Sequence, residues 1–167
     1  MYRKQILIIL LVFALVTLSC RFTVDLSDLE LKTGPLVTDE ISVPLLDDPA
    51  ATAEVELIFG AGKLNLGPGV EGSLVSGTAS YNVTEFKPTV SVRGDQVRIV
   101  QGDGNIEGIP RLGGNYRNDW DLQMGKAPME LTIRAGVYNG EIELGGLSLK
   151  TLQVTDGVAE SEVSFSE

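Results

Sequence analysis

The stretch LTIRAGV at residues 131–137 recurs as LQVTDGV at residues 152–158, and this repeat decides the fold. The interval is 21 residues, and the apolar pair after each copy keeps it: Ile142 and Leu144 return as Val163 and Phe165. A fixed period near 20 residues, with two short strands around a glycine, indicates stacked β-repeats. Each repeat can bury its apolar face only against its neighbours.

An earlier segment fits the same scheme. Val55 and Leu57 precede Gly60, and Leu64 and Leu66 follow it. If Leu64 and Leu66 are aligned with Ile142 and Leu144, the turn of this unit is two residues shorter than the turn of the repeat. Together the units predict an all-β fold of stacked short strands, similar to a β-solenoid or β-helix, preceded by an N-terminal signal helix.

Glycine lies at the same place in both copies of the repeat, as Gly136 and Gly157. A left-handed backbone conformation at these corners would explain glycine there. If φ is positive, alanine at either position should cost about 1 kcal/mol or more.

Other segments also read as strands. Leu74–Tyr81 alternates, and Thr89–Val100 predicts a hairpin that turns at Gly94-Asp95. Asp119–Met124 predicts another short strand. Gly102–Asn118 is rich in glycine and asparagine without a period, which indicates a long loop.

The N-terminal residues predict an export signal. Arg3 and Lys4 precede Ile6–Val16, an unbroken apolar run of 11 residues. Extended through Leu18, a helix of this length reaches roughly 20 Å, against about 30 Å for the hydrocarbon core of a membrane. An uncleaved anchor helix is the alternative interpretation.

The end of this segment, Thr17-Leu18-Ser19-Cys20, resembles the lipobox of bacterial lipoproteins, although Thr17 stands where that family prefers leucine. The resemblance implies that Cys20 is lipidated and becomes the new N-terminus. Two or more acyl chains anchor a protein stably. We therefore expect a signal peptide over 1–19, a lead-in over 20–52 and a β-domain over 53–167, tethered to the outer face of a bacterial membrane.

Composition limits the function. The net charge of −10 repels nucleic acid, so we expect no nucleic-acid partner. Histidine is absent, which removes Ser-His-Asp and Cys-His nucleophile systems. A single cysteine allows no intramolecular disulfide. We expect no catalytic residues, no cofactor and no metal.

One cluster could contact a ligand. Trp120 is the only tryptophan, and Tyr116, Asp119 and Asp121 lie close to it in the sequence. An aromatic face beside carboxylates could stack on a sugar. The alternative is that Trp120 packs into the core and closes the long loop over the sheets. The two aspartates could also form a glycosidase pair, but only their spacing supports this reading.

Residues 102–108, GDGNIEG, place oxygen ligands at alternate positions, as a calcium loop does. The twelfth position counted from Asp103 should then be glutamate, and it is Gly114. The EF-hand interpretation therefore fails, and a polar turn is preferred.

Three segments carry a further resemblance: EVELIFGAGKLNL at 54–66, LVSGTASYN at 74–82 and NYRNDWDL at 115–122. Together they resemble the bacterial toast-rack domain over about residues 35–167. That family is similar to LiaF-type cell-envelope stress proteins and to adhesin-like domains. The resemblance implies an exported, all-β, solenoid-like domain without an assigned activity and without catalytic residues to transfer.

Members of that family continue for further repeats beyond the point where this chain stops. We expect either a truncated reading frame or a short member whose C-terminal edge strand pairs with another envelope protein or with a second copy. The expected function is non-catalytic binding or envelope sensing. The alternatives are an adhesin-like self-assembling module and, last, a carbohydrate-acting enzyme.

Overall fold

The structure is a computed structural model that describes residues 32–69, 71–102 and 115–166. These residues are almost entirely β, with one 3₁₀ turn at Thr84–Phe86, so the all-β prediction is confirmed. The predicted signal, Cys20 and residues 103–114 of the predicted loop lie outside the described residues. The strands are β1 (Thr33–Pro44), β2 (Ala53–Pro68), β3 (Ser73–Val83), β4 (Pro88–Arg93), β5 (Gln96–Gln101), β6 (Asn118–Met124), β7 (Met129–Glu143) and β8 (Leu149–Ser164).

The repeat forms a parallel stack. β7 pairs with β2 on one side and with β8 on the other. Leu131 lies opposite Leu152, and Ile142 lies opposite Val163, so the predicted 21-residue register is confirmed. The two short strands expected in each unit are the two halves of one long strand.

The earlier unit has the same length as the others. Val55 pairs with Leu131, and Leu66 pairs with Ile142. The predicted alignment of Leu64 with Ile142 is therefore wrong by two residues, and nothing is missing from the turn. Leu64 instead lies opposite Gly140, where a Cβ would collide with the ring of Tyr138.

A fourth level of the stack is interrupted. β5 pairs in parallel with residues 54–58 of β2, and β6 pairs in parallel with residues 63–68. These two short strands therefore act as the halves of one broken strand, with residues 102–117 between them. β4 completes the predicted hairpin with β5, and Gly94 at its turn has a φ of 62°.

The edge beyond β6 is built from antiparallel strands. β3 pairs with β6, and β1 pairs with β3. β1 includes residues 33–44, which the sequence analysis placed in the lead-in, and it buries Ile41 and Val43 in the core. β1 is an edge strand of the described sheet, a place that suits Pro44 because proline cannot donate to the ladder in the middle of a sheet.

The backbone conformation at the two glycine corners differs from the prediction. Gly136 and Gly157 are not among the glycines with positive φ, so the left-handed explanation is wrong. A Cβ at Gly136 would instead lie 2.3 Å from the carbonyl oxygen of Gly60, and one at Gly157 would lie 2.8 Å from the oxygen of Gly136. Glycine is needed because the backbones of successive levels approach closely where the strands bend.

Candidate functional site

Trp120 lies fully inside the core. Its ring packs edge to face against Phe59 at a centroid distance of 5.3 Å, and its Nε1–H donates to Asn118 Oδ1 at 3.0 Å. The indole in this structure has no face open to a sugar, so the alternative interpretation, a core tryptophan, describes its place.

The other three predicted contact residues are separated from Trp120. Asp119 and Asp121 point to the opposite side of β6, where Asp119 accepts a hydrogen bond from Arg117 Nε at 2.6 Å and Asp121 accepts one from the Asn65 amide. Tyr116 packs edge to face against Phe86 at 6.3 Å, in a small separate cluster. The structure therefore does not assemble the predicted sugar platform.

Two buried polar residues were missed by the sequence analysis. Gln101 and Asn118, each 1% exposed, end the two halves of the interrupted level. Gln101 Oε1 accepts hydrogen bonds from the backbone N–H groups of Gly60 and Ala61 at 2.8 and 3.1 Å. The Asn118 Nδ2 donates to the Ala61 carbonyl at 2.6 Å.

These side-chain amides make the hydrogen bonds to β2 that the backbone of a continuous neighbouring strand would otherwise make. β7 pairs with the corner of β2 on one side, but on the other side, between the end of β5 and the start of β6, no described strand does. Buried backbone groups left unpaired there are costly. Their role is structural. The sequence signal was faint: an amide side chain at each end of the irregular segment, where the alternation would otherwise favour an apolar residue.

A shallow groove crosses five strands, β3, β6, β2, β7 and β8. Its volume is about 700 Å³, and four acidic residues line it with Asn65: Asp121, Glu141, Glu143 and Glu162. Along one row, Asp121 lies opposite Asn65, Asn65 opposite Glu141, and Glu141 opposite Glu162. No lysine or arginine is among the described lining residues, so the groove favours cationic groups.

At the end of β7, Glu143 fastens β8 to the stack. Its carboxylate accepts hydrogen bonds from Ser164 Oγ at 2.9 Å, Ser166 Oγ at 2.7 Å and the N–H groups of Gly145 and Ser166 at 2.7 and 3.0 Å. These bonds, those from Ser166 foremost, lower the pKa of Glu143 from 4.5 to about 2.

At the corner of the same two strands, the Tyr138 hydroxyl donates to Asp156 Oδ1 at 2.8 Å. Burial, reinforced by this hydrogen bond, raises the pKa of Tyr138. The contact is a second fastening between β7 and β8.

The outer edge of β8 is open. Among the described residues β8 pairs only with β7. Val158 is 74% exposed and Phe165 is 62% exposed, and Val163 is also exposed. An unpaired edge that carries exposed apolar side chains is a surface on which another strand can add.

No group of three metal-ligating side chains lies within residues 32–69, 71–102 and 115–166. Over the same ranges, no helix is long and apolar enough to cross a membrane.

Comparison with known protein families identifies the domain. The family described as the N-terminal domain of toast_rack, DUF2154, matches residues 32–167. The chain belongs to this family. The toast-rack match begins one residue before β1, so β1 is part of the domain. No curated protein matches the sequence.

The chain is also similar to solved structures of bacterial proteins. A proposed cell adhesion protein from Clostridium sporogenes is 26% identical with a TM-score of 0.65, over 76% of this chain and 61% of its own. This chain thus spans about three fifths of that protein. A proposed adhesin from Parabacteroides distasonis is 11% identical with a TM-score of 0.38, over 78% of this chain and 57% of its own. A proposed lipid-binding protein from the same organism is 12% identical with a TM-score of 0.33, over 78% of this chain and 63% of its own.

Proposed function

We propose that the chain is a non-catalytic binding module of the bacterial cell envelope, tethered to the outer face of the membrane through lipidated Cys20. In this proposal the β-domain binds or senses an envelope component. The observation that carries it is the edge of β8, which among the described residues pairs only with β7 and carries the exposed side chains of Val158 and Val163. Such edges bind proteins by adding a strand.

Two further observations support the proposal. The chain is similar to a proposed cell adhesion protein, although it spans only part of that protein's length. The aspartates that could have formed a catalytic pair are instead engaged by Arg117 and Asn65 on an exposed face. A glycosidase needs two carboxyl groups in distinct environments around a bound sugar.

The tether is tested by metabolic labelling with an alkyne analogue of palmitate. We expect the wild-type chain to be labelled and membrane-bound, and Cys20→Ser to lose both properties. External protease should digest the domain on intact spheroplasts. An unlabelled, protease-protected wild-type chain would contradict the proposed location.

Binding is tested with the domain and isolated cell envelopes. We expect saturable retention of the wild type and at least tenfold weaker retention of Val158→Lys, whose side chain is exposed so that folding is not disturbed. Val92→Lys, on the exposed strand β4, is the matched control and should bind like the wild type. Equal retention of all three would contradict a role for β8. Hydrolysis of envelope glycans that Asp119→Asn or Asp121→Asn abolishes would contradict the non-catalytic assignment.

Self-assembly is the second candidate function, and the same open edge favours it. In that case the sedimentation coefficient of the wild type should rise with concentration, and Val158→Lys should remove the rise. A concentration-independent monomer that still binds envelopes would exclude assembly and leave the binding module standing.

A further inference from the structure

A second groove lies at the corner of the stack, where each level carries a glycine. It has a volume of about 420 Å³ and crosses β2, β7 and β8 beside Gly60, Gly136 and Gly157. Because these three levels lack side chains at the corner, backbone lines the groove there. A stripe of small residues does not by itself make a binding site, but the groove is also lined by Gln101, whose amide is only half used.

The amide of Gln101 has an unused donor. The structural role of this residue occupies only Oε1, which accepts hydrogen bonds from the N–H groups of Gly60 and Ala61 at 2.8 and 3.1 Å. Since both neighbours are donors, the amide cannot be turned over, and its Nε2 group faces away from them. Gln101 is 1% exposed, and no described residue accepts a hydrogen bond from Nε2. A buried donor without an acceptor is unfavourable, and a ligand oxygen would remove that penalty.

On the other side of β2 from Gln101, Arg134 supplies positive charge to the groove. Its guanidinium leans toward β2, where Nη1 lies 3.5 Å from the Glu56 carboxylate. Glu56 is shared with Arg98, whose Nε lies closer, at 3.0 Å. Among the described ion pairs, one carboxylate between two guanidinium groups leaves one positive charge uncompensated. The Arg134 side chain is 59% exposed and can therefore pair with an anion that enters the groove.

The two donors flank β2 and differ in burial. Gln101 ends β5 and Arg134 lies on β7, and both strands pair with β2, so the donors border a strip about 10 Å wide. A full charge beside buried Gln101 would be costly, whereas beside exposed Arg134 it stays partly hydrated. The groove therefore favours a neutral carbonyl at Gln101 and a negative charge at Arg134. Asp156 lies at the β8 end of the groove, where its carboxylate accepts a hydrogen bond from Tyr138.

We infer that this corner groove binds a small acylated carboxylate, whose acyl oxygen accepts a hydrogen bond from Gln101 Nε2 and whose carboxylate pairs with Arg134. Nε2 is closed to water before the ligand arrives, so the wall of the groove opens as the ligand enters. The exposed side chains of Arg134 and Thr155 allow this movement. The site does not use the outer edge of β8, and it goes beyond the proposed function.

Two probes of the same size test the site. N-acetylglycylglycine carries a carbonyl at one end and a carboxylate at the other, about 7 Å apart when extended, and N-acetylglycylglycinamide lacks only the charge. NMR of the isotope-labelled full chain in detergent should show saturable binding of the acid and at least tenfold weaker binding of the amide. The side-chain amide signals of Gln101 should shift as the acid binds, because a hydrogen bond forms at Nε2.

Three variants assign the contacts. Arg134→Gln should bind the acid and the amide equally, because the pairing charge is gone. Arg98→Gln is the matched control: it removes the same charge from beside the same Glu56, but Arg98 is not among the residues that line the groove, so the preference for the acid should remain. Gln101→Glu keeps an acceptor for the buried N–H groups and lacks the donor. It should weaken binding of both probes at least tenfold, and it identifies the Gln101 signals by their absence.

Equal affinity of the wild type for the two probes would overturn the role of the charge and with it the inferred ligand. Binding that leaves the Gln101 signals unshifted would put the probes elsewhere on the chain and overturn the site, as would absence of binding by both probes. The shifts are measured on the wild-type chain, so the inference remains falsifiable even if Gln101→Glu does not fold.

Discussion

β7 and β8 carry two copies of one sequence repeat, yet only one copy is buried. In β7, Leu131, Ile133 and Ile142 are at most 1% exposed. Their counterparts in β8 are half-buried Leu152 and Val154 and exposed Val163. The difference arises from neighbours, because β7 is covered on both sides and β8 on one. In a stacked fold, the position of a repeat in the stack determines how much its apolar side chains contribute to the free energy of unfolding.

The sharpest way to break this comparison is to truncate the same residue in both copies. Leu131→Ala should lower the free energy of unfolding by about 3 kcal/mol, since it leaves a cavity in a closed core. Leu152→Ala should cost about 1 kcal/mol, because water already reaches that level. Urea denaturation of both variants measures the difference. Equal losses would mean that β8 is covered as completely as β7.

The glycine corners give a second pair. Gly136→Ala places a methyl group against the Gly60 carbonyl, with β2 and β8 holding the backbone on both sides. We expect a cost of about 2–3 kcal/mol, the range of overpacking in a closed site. Gly157→Ala should cost about 1 kcal/mol, since the edge strand can shift outward. Thermal unfolding followed by circular dichroism measures both, and a larger loss for Gly157→Ala would contradict the comparison.

The interrupted level provides a third test. Gln101→Leu removes the acceptor for one buried and one partly buried N–H group and should cost about 1–3 kcal/mol. Gln153→Leu, on the exposed face of β8, is the matched control and should change stability by less than about 0.5 kcal/mol. Urea midpoints compare them. A neutral Gln101→Leu would show that the corner of β2 does not depend on this amide.

The smallest effect concerns the fastening of β8 at its end. The pKa of Glu143 falls from 4.5 to about 2 on folding, so its contribution to stability is complete above about pH 4.5 and is lost as the pH falls through about 2. The difference in urea midpoint between the wild type and Glu143→Gln should therefore shrink between pH 5 and pH 2. A difference that is constant over this range would mean that the carboxylate does not hold Ser164 and Ser166.

The stack itself could be predicted from the sequence because its cause is local and periodic. Leu131 and Leu152 occupy the same position in two copies of a repeat, and the alternation of apolar and polar residues along each copy indicates which side of the strand is buried. The hairpin around Gly94 and the strand ending at Met124 follow from short-range patterns. These features need no knowledge of distant partners.

Other features depend on contacts between segments far apart in sequence. Gly136 is glycine because of the Gly60 carbonyl, which is 76 positions away in the numbering, and no local pattern reports that approach. Trp120 is buried because Phe59 lies across the core from it. β1 joins the sheet only through β3, so its short alternation read as a lead-in. The structural role of Gln101 can be recognised only when β5 and β6 are known to be the two halves of one interrupted strand.

Disulfide trapping tests the 21-residue register most directly. With Cys20→Ser in the background, Thr132→Cys and Gln153→Cys place two thiols directly opposite each other on β7 and β8. We predict that this pair oxidises readily, because directly opposite residues lie within the span of a disulfide, whereas Thr132→Cys with Thr155→Cys does not. Preferential bridging of the second pair would contradict the register on which the stack, its open edge and the corner groove depend.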